Sequence, residues 1–218
     1  MRYEHLVFDL DGTLIDSRAD LAHAINHMLR TLGLQQLSVE TITGYIGEGA
    51  RMLVKRALGP AQEHRLESGL QTFIAHYRAH LVDHTRLYPG ITDMLRRLKQ
   101  QTVVLSVLSN KPVDMSRAIL DSLGVLGLFD AIFGGDSFST RKPDPAGLEH
   151  VRERAGTPRQ KLLVVGDSLI DLRTAQAAGV DFCGVSWGFG GAGLEAAGAQ
   201  RIINEPAELL EILQNRAS

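Results

Sequence analysis

Four short apolar runs constrain the fold of this chain more than any other feature. Residues 4–9, 103–108, 162–165 and 180–185 are rich in Val, Ile, Leu or Phe, and segments of helical periodicity separate them. Weaker runs of the same kind lie at 131–133 and 201–203. A strand covered by helices on both faces loses the alternation of polar and apolar residues, so continuous apolar runs between helices indicate a parallel sheet with crossover helices. The expected class is α/β, with a Rossmann-like, doubly wound parallel sheet as the core. In such sheets ligands gather outside the carboxyl ends of the strands.

One interval breaks the pattern. From Ser17 to about His84 no strand-like run occurs, and consecutive amphipathic helices are expected. The first carries Leu21, Ala24, Ile25, Met28 and Leu32 on one face; Ser17 and Asp20 form a capping-box pattern at its start and Gly33 supplies a stop. A later helix is expected from Pro60 to about Val82, with Leu66, Leu70, Phe73, Ile74 and Tyr77 at helical spacing. The division expected is a core of residues 1–16 and 85–218 with an all-helical insertion at 17–84. The Gly- and Ala-rich stretch from Gly188 to Ala199 reads as a loop followed by a short helix.

Composition excludes several kinds of function. With 44% apolar and 22% charged residues in 218, the chain is that of an ordinary globular protein. Lys and Arg number 23 against 25 Asp and Glu, so there is no polybasic field for nucleic acid or anionic lipid. No apolar run approaches the roughly 18 residues of a membrane span, and the first residues enter a strand without a signal-peptide pattern. The single cysteine, Cys183, sits among apolar residues and is expected to be buried. These features point to a cytoplasmic protein whose function resides in a local site.

Four clusters lie where expected strands end. Asp9, Asp11, Gly12 and Thr13 follow the first. A turn explains Asp and Gly there, but not two carboxylates at the end of a buried strand; such a pair suits a hard divalent cation, or a division into nucleophile and general acid. Ser109, Asn110, Lys111 and Pro112 follow the second run, a hydroxyl and free backbone N–H groups at a helix start where phosphate docks. Lys142 precedes Pro143, Asp144 and Pro145; by itself it reads as a surface lysine, with Asp144 as N-cap. Asp167 and Asp171, four residues apart, open a further helix, where capping is the alternative reading for Asp171.

Taken together and in this order, the clusters resemble those of the haloacid dehalogenase superfamily, and the resemblance spans the whole chain. It implies that the helical insertion is a cap and that the reaction is phosphoryl transfer through an aspartyl-phosphate. Asp9 would be the nucleophile and Asp11 the general acid and base. Ser109 and Lys142 would complete the catalytic set, and Asn110 and Thr13 would bind phosphate. Mg2+ would be held by Asp9, Asp11 through its carbonyl, and Asp167, with Asp171 behind them. The implied partner is a small phosphate ester; neither nucleic acid nor membrane is implied, and monomer and homodimer stay open.

Tyr45, Ile46, Gly47, Glu48, Gly49 and Arg51 stand at an expected break between insertion helices. This stretch resembles the substrate-reading Gly-x-Gly loop of phosphoglycolate phosphatases, as does Trp187 to Gly190. On that resemblance Gly47, Glu48, Gly49 and Arg51 would face substrate, with Glu48 pairing with Arg51 or turned aside so that it does not repel a carboxylate. An ordinary interhelical turn is the alternative. Other expectations are a sugar-phosphate phosphatase, a phosphomutase or a pyrophosphatase of the same superfamily, or a non-catalytic binding or regulatory protein. A dehalogenase is disfavoured, because it has no need of the acid and base that Asp11 supplies.

Overall fold

The structure, a computed structural model, describes residues 2–190 and 193–214. Six strands form one parallel sheet: β1 (His5–Phe8), β4 (Val104–Leu108), β5 (Ala131–Phe133), β6 (Leu162–Gly166), β7 (Asp181–Val185) and β8 (Ile202–Ile203). Their spatial order is β5-β4-β1-β6-β7-β8. β1 is central, its His5 to Phe8 in register with Val104 to Val107 on one side and Leu162 to Val165 on the other. The chain builds outward from β1 through β4 and β5, then crosses to β6, so the strand order reverses beside β1. That reversal opens a crevice at the carboxyl ends of β1, β4 and β6.

Both faces of the sheet are covered. Leu6 and Phe8 pack with α5 (Ile91–Gln100), α6 (Val113–Ser122) and α9 (Glu208–Gln214) through Ile91, Leu95, Ile119 and Leu209. Val7, pointing the other way, packs with α7 (Ala146–Arg154) and α8 (Leu169–Ala178) through Leu148, Val151, Ala175 and Ala178. Cys183 is buried. Helix α7 starts one residue later than expected, with Asp144 Oδ1 accepting from Ala146 N at 2.9 Å.

The helices of the insertion are α1 (Arg18–Thr31), α2 (Val39–Thr43), α3 (Ala50–Leu58) and α4 (Leu66–Ala79). They enclose Ala24, Ile25, Met28, Ile42, Val54, Phe73 and Tyr77. Gly33, at φ +68°, ends α1 as expected: its N–H donates to Arg30 O and that of Leu34 to Leu29 O. The expected helix from Pro60 divides instead into a 3-10 turn, Pro60–Arg65, and α4, which stops at Ala79.

Two-residue strands β2 (Ile15–Asp16) and β3 (Arg86–Leu87) pair antiparallel and bring the two ends of the helical segment together. The capping box expected at Ser17 does not form. Ser17 Oγ donates to Asp11 Oδ1 at 2.6 Å, and Asp20 accepts from His84 N, Thr85 N and Thr85 Oγ1 at 2.7–3.0 Å. Both side chains serve the crossing between helices and sheet rather than the start of α1. The Gly- and Ala-rich loop expected at Gly188 to Ala199 includes residues 191 and 192, which lie outside the described residues.

At the start of β1, His5 is fully buried between Thr157 Oγ1 (3.2 Å) and Ser106 Oγ (2.9 Å). Burial pulls its pKa down to about 4, with Asp130 opposing weakly. The unfolded chain therefore takes up a proton near pH 6.5 that the folded chain refuses until about pH 4, and stability falls as pH drops through this window. The loss amounts to about 3 kcal/mol. Urea unfolding of His5→Gln, which keeps hydrogen-bonding capacity but not the titration, is expected to show a correspondingly smaller fall between those pH values.

Candidate active site

β1 delivers Asp9 to the crevice, with Asp9 N still bonded to Val165 O at 2.9 Å. Gly12, at φ +88°, turns the chain tightly enough to place Asp11 beside it, and a side chain at Gly12 would collide with the Asp167 carboxylate. Asp167 follows β6, and the capping box of α8 holds Asp171: Ser168 N and Oγ both donate to Asp171 Oδ2. The capping reading of Asp171 is thus correct and incomplete, because its other oxygen accepts from Lys142 Nζ at 2.6 Å.

Lys142 is buried and reaches Asp9 Oδ1 at 2.8 Å as well as Asp171. Burial alone would lower its pKa, but Asp171 and Asp9 outweigh it and hold the ammonium above its ordinary value. The acids have the opposite problem. Burial raises Asp9, with Lys142 opposing and Asp171 adding to the rise. Asp167 is pushed up to about 7 by burial and by the charges of Asp171 and Asp9, against hydrogen bonds from Phe189 N (2.7 Å) and Gly190 N (3.2 Å).

Asp9, Asp167 and Asp171 bring carboxylate oxygens within 4.8 Å of one another. Lys142 is the ammonium between two of them, one cation against three carboxylates, and burial first and then the neighbouring acids raise Asp9 and Asp167. An all-oxygen set with excess charge, out of bulk water, fits a hard divalent cation.

Asp11 has a separate environment. Ser17 Oγ and Lys111 Nζ hold it, the latter at 2.8 Å to both oxygens, and Lys111 also meets Tyr77 Oη at 2.8 Å. Burial pushes the Tyr77 phenol up to about 12. The sequence places Lys111 in the cluster after the second run but gives its side chain no role, and gives Tyr77 only a place on a helix face. In sequence Lys111 is one more lysine at a helix start and Tyr77 one more apolar position of α4; only the packing of α4 over the β4 exit brings them to Asp11.

A cleft between sheet and helices is lined by Asp9, Asp11, Ser109, Asn110 and Lys111 on one side. Leu21, Ile46, Gly47, Gly49, Leu53, Phe73 and Ile74 line the other. Asn110 joins the two, its Nδ2 donating to Gly47 O (3.0 Å) and Lys142 O (2.9 Å).

Four expectations need correction. Arg51 does not line the cleft; it is exposed and paired with Glu67. Glu48 also lies off the cleft, paired with Arg56, so of its two expected alternatives it is turned aside and does not pair with Arg51. Residues next to each other on a loop and a helix start diverge in direction, and only the glycines keep the backbone against the site. Thr13 is buried away from the cleft, its hydroxyl donating to Asp167 Oδ1 at 3.2 Å, so it positions an acid and does not face phosphate. Nor are the first N–H groups of α6 all free: Asp136 accepts from Val113 N and Asp114 from Met115 N.

Residues 6–185 match the haloacid dehalogenase-like hydrolase family. The chain belongs to this family. A phosphoglycolate phosphatase of Chromobacterium violaceum is 37% identical over 99% of this chain and 100% of its own length. One from Cereibacter sphaeroides is 42% identical over 81% and 82%. The crystal structure of a predicted phosphoglycolate phosphatase from Haemophilus somnus superposes with a TM-score of 0.93 at 32% identity, covering 98% of this chain and 99% of that one. Family membership accounts for the acids at successive strand ends, and the sheet order places them in one crevice.

Proposed function

We propose that this hydrolase is a Mg2+-dependent phosphatase acting on 2-phosphoglycolate, with Asp9 as nucleophile. The observation that carries the reading is the division of two neighbouring carboxylates between two environments. Asp9 faces the acidic cluster and Lys142, while Asp11 is held by Ser17 and Lys111. Such a separation gives two acids two roles. An Asp9 oxygen attacks phosphorus, the P–O bond to the leaving alkoxide breaks, and Asp11 gives that alkoxide its proton. Asp11, now a carboxylate, takes a proton from the water that attacks the aspartyl-phosphate, releasing phosphate and regenerating Asp9. Ser109 and Lys142 contact phosphoryl oxygens, and Asn110 ties Gly47 of the helical segment to the β4 exit.

Asp9 and Asp167, with the Asp11 carbonyl, would hold Mg2+, and Asp171 would orient Lys142 behind them. When bound, the ion supplies positive charge against the phosphoryl oxygens. Residues 17–84 act as a cap over the core of residues 1–16 and 85–218, excluding water during the first step. The buried free Cys183 and the lack of any helix, among the described residues, long and apolar enough to cross a membrane agree with a cytoplasmic location.

The relatives named phosphoglycolate phosphatase support the substrate, as does the lining of the cleft. Its helical side is apolar apart from Tyr77, which leaves sugar hydroxyls without partners, at a cost. Lys111 is the cation lining the cleft, and to meet the substrate carboxylate it turns one N–H away from Asp11 or Tyr77. Across a panel of 2-phosphoglycolate, sugar monophosphates, pyrophosphate and nucleoside monophosphates, kcat/KM is expected to be highest for 2-phosphoglycolate. Lys111→Met is expected to erase most of that preference, while Arg51→Ala leaves it within about twofold, as expected of an exposed pair. A preference for sugar phosphates would discard the substrate and keep the reaction.

A further inference from the structure

We propose that Asp20, His23 and His84 form a second metal site, distinct from the acidic cluster of the sheet, that takes a divalent transition-metal cation such as Zn2+. Each offers one ligand atom, and the three atoms lie within 4.8 Å of one another. His23 and His84 are exposed, their rings edge to face with centroids 5.1 Å apart, so both can turn a nitrogen toward a common point. Asp20 is the fixed member. It is 1% exposed, and its carboxylate is held by His84 N, Thr85 N and Thr85 Oγ1. Every one of those donors is neutral, and among the described residues Asp20 has no ion-pair partner; a buried carboxylate without a counter-charge is what a cation relieves.

The donor set selects the metal. Two imidazoles and one carboxylate suit Zn2+, Ni2+ or Cu2+, whereas Mg2+ requires oxygen ligands. Three protein ligands leave further positions to water. Asp20 and His23 line a groove with His76, His80 and Asp83, and with Arg30, whose charge opposes a cation. His80 Nδ1 is already bonded to Asp83 at 2.7 Å, and neither His76 nor His80 belongs to the trio whose ligand atoms converge. A bound ion would tie the start of α1 to the segment that returns from the helices to the sheet.

The test is a titration of the full-length, metal-stripped protein with ZnCl2 in excess Mg2+, followed by the imidazole nitrogen resonances. His23 and His84 are expected to shift together to a one-to-one end point while buried His5 does not move. By calorimetry His23→Ala and His84→Ala should each weaken this binding at least tenfold, and His76→Ala should not. These exposed positions allow folding and phosphatase activity in Mg2+ to persist. Unmoved His23 and His84 resonances, shifts confined to His27, His76 and His80, or affinity unchanged by both substitutions would overturn the proposal.

Discussion

Asp9→Asn is expected to lower kcat for phosphate-ester hydrolysis by at least about a thousandfold, the scale on which loss of a covalent nucleophile is felt. An amide at this position keeps the size of the side chain and the backbone bond to Val165, so the sheet should be unaltered. It also removes one of the charges that crowd the acidic cluster, so the variant should fold at least as stably as the parent. Activity lost without stability lost separates a chemical role from a structural one; circular dichroism and urea unfolding beside the assay make that separation.

Lys142→Met is the second large effect, and it combines both losses. Lys142 bonds Asp9 and Asp171 at 2.8 and 2.6 Å, and its side chain is 6% exposed. Removing the ammonium leaves two buried carboxylates facing each other and Asp167, which costs about 3–5 kcal/mol for a pair broken on one side. Marginal stability makes that a large fraction of the total. Adding Asp171→Asn removes one of the orphaned charges and is expected to restore much of the stability measured by urea unfolding. It should not restore turnover, because the ammonium proposed to contact the phosphoryl oxygens beside Asp9 is still missing.

The strands that form the site are legible because each is covered on both faces, so β1, β4, β6 and β7 read as largely apolar runs ending next to their polar residues. That placement singles out Asp9, Asp11, Ser109, Asp167 and Asp171 from the sequence alone. The pairing of β2 with β3 was not legible, since two-residue strands carry no periodicity. Ser17 and Asp20 fit a capping box in spacing, but tertiary partners, Asp11 and Thr85, compete for the same oxygens and win. Lys111 stands 100 residues from Asp11, and nothing local distinguishes it from a solvated lysine. Arg51 and Glu48 were misplaced for the converse reason. Adjacency in sequence suggested a shared direction, whereas the turn into α3 sends them to different partners, Glu67 and Arg56.

The central claim is that turnover passes through a phosphorylated Asp9. It is tested most directly by mixing the enzyme and Mg2+ with 32P-labelled 2-phosphoglycolate, quenching in acid during the first turnovers, and mapping the protein-bound label. The predicted result is label on the peptide containing Asp9, released by hydroxylamine and absent from Asp9→Asn. Rapid turnover with no protein-bound label, or label on a residue other than Asp9, would contradict it.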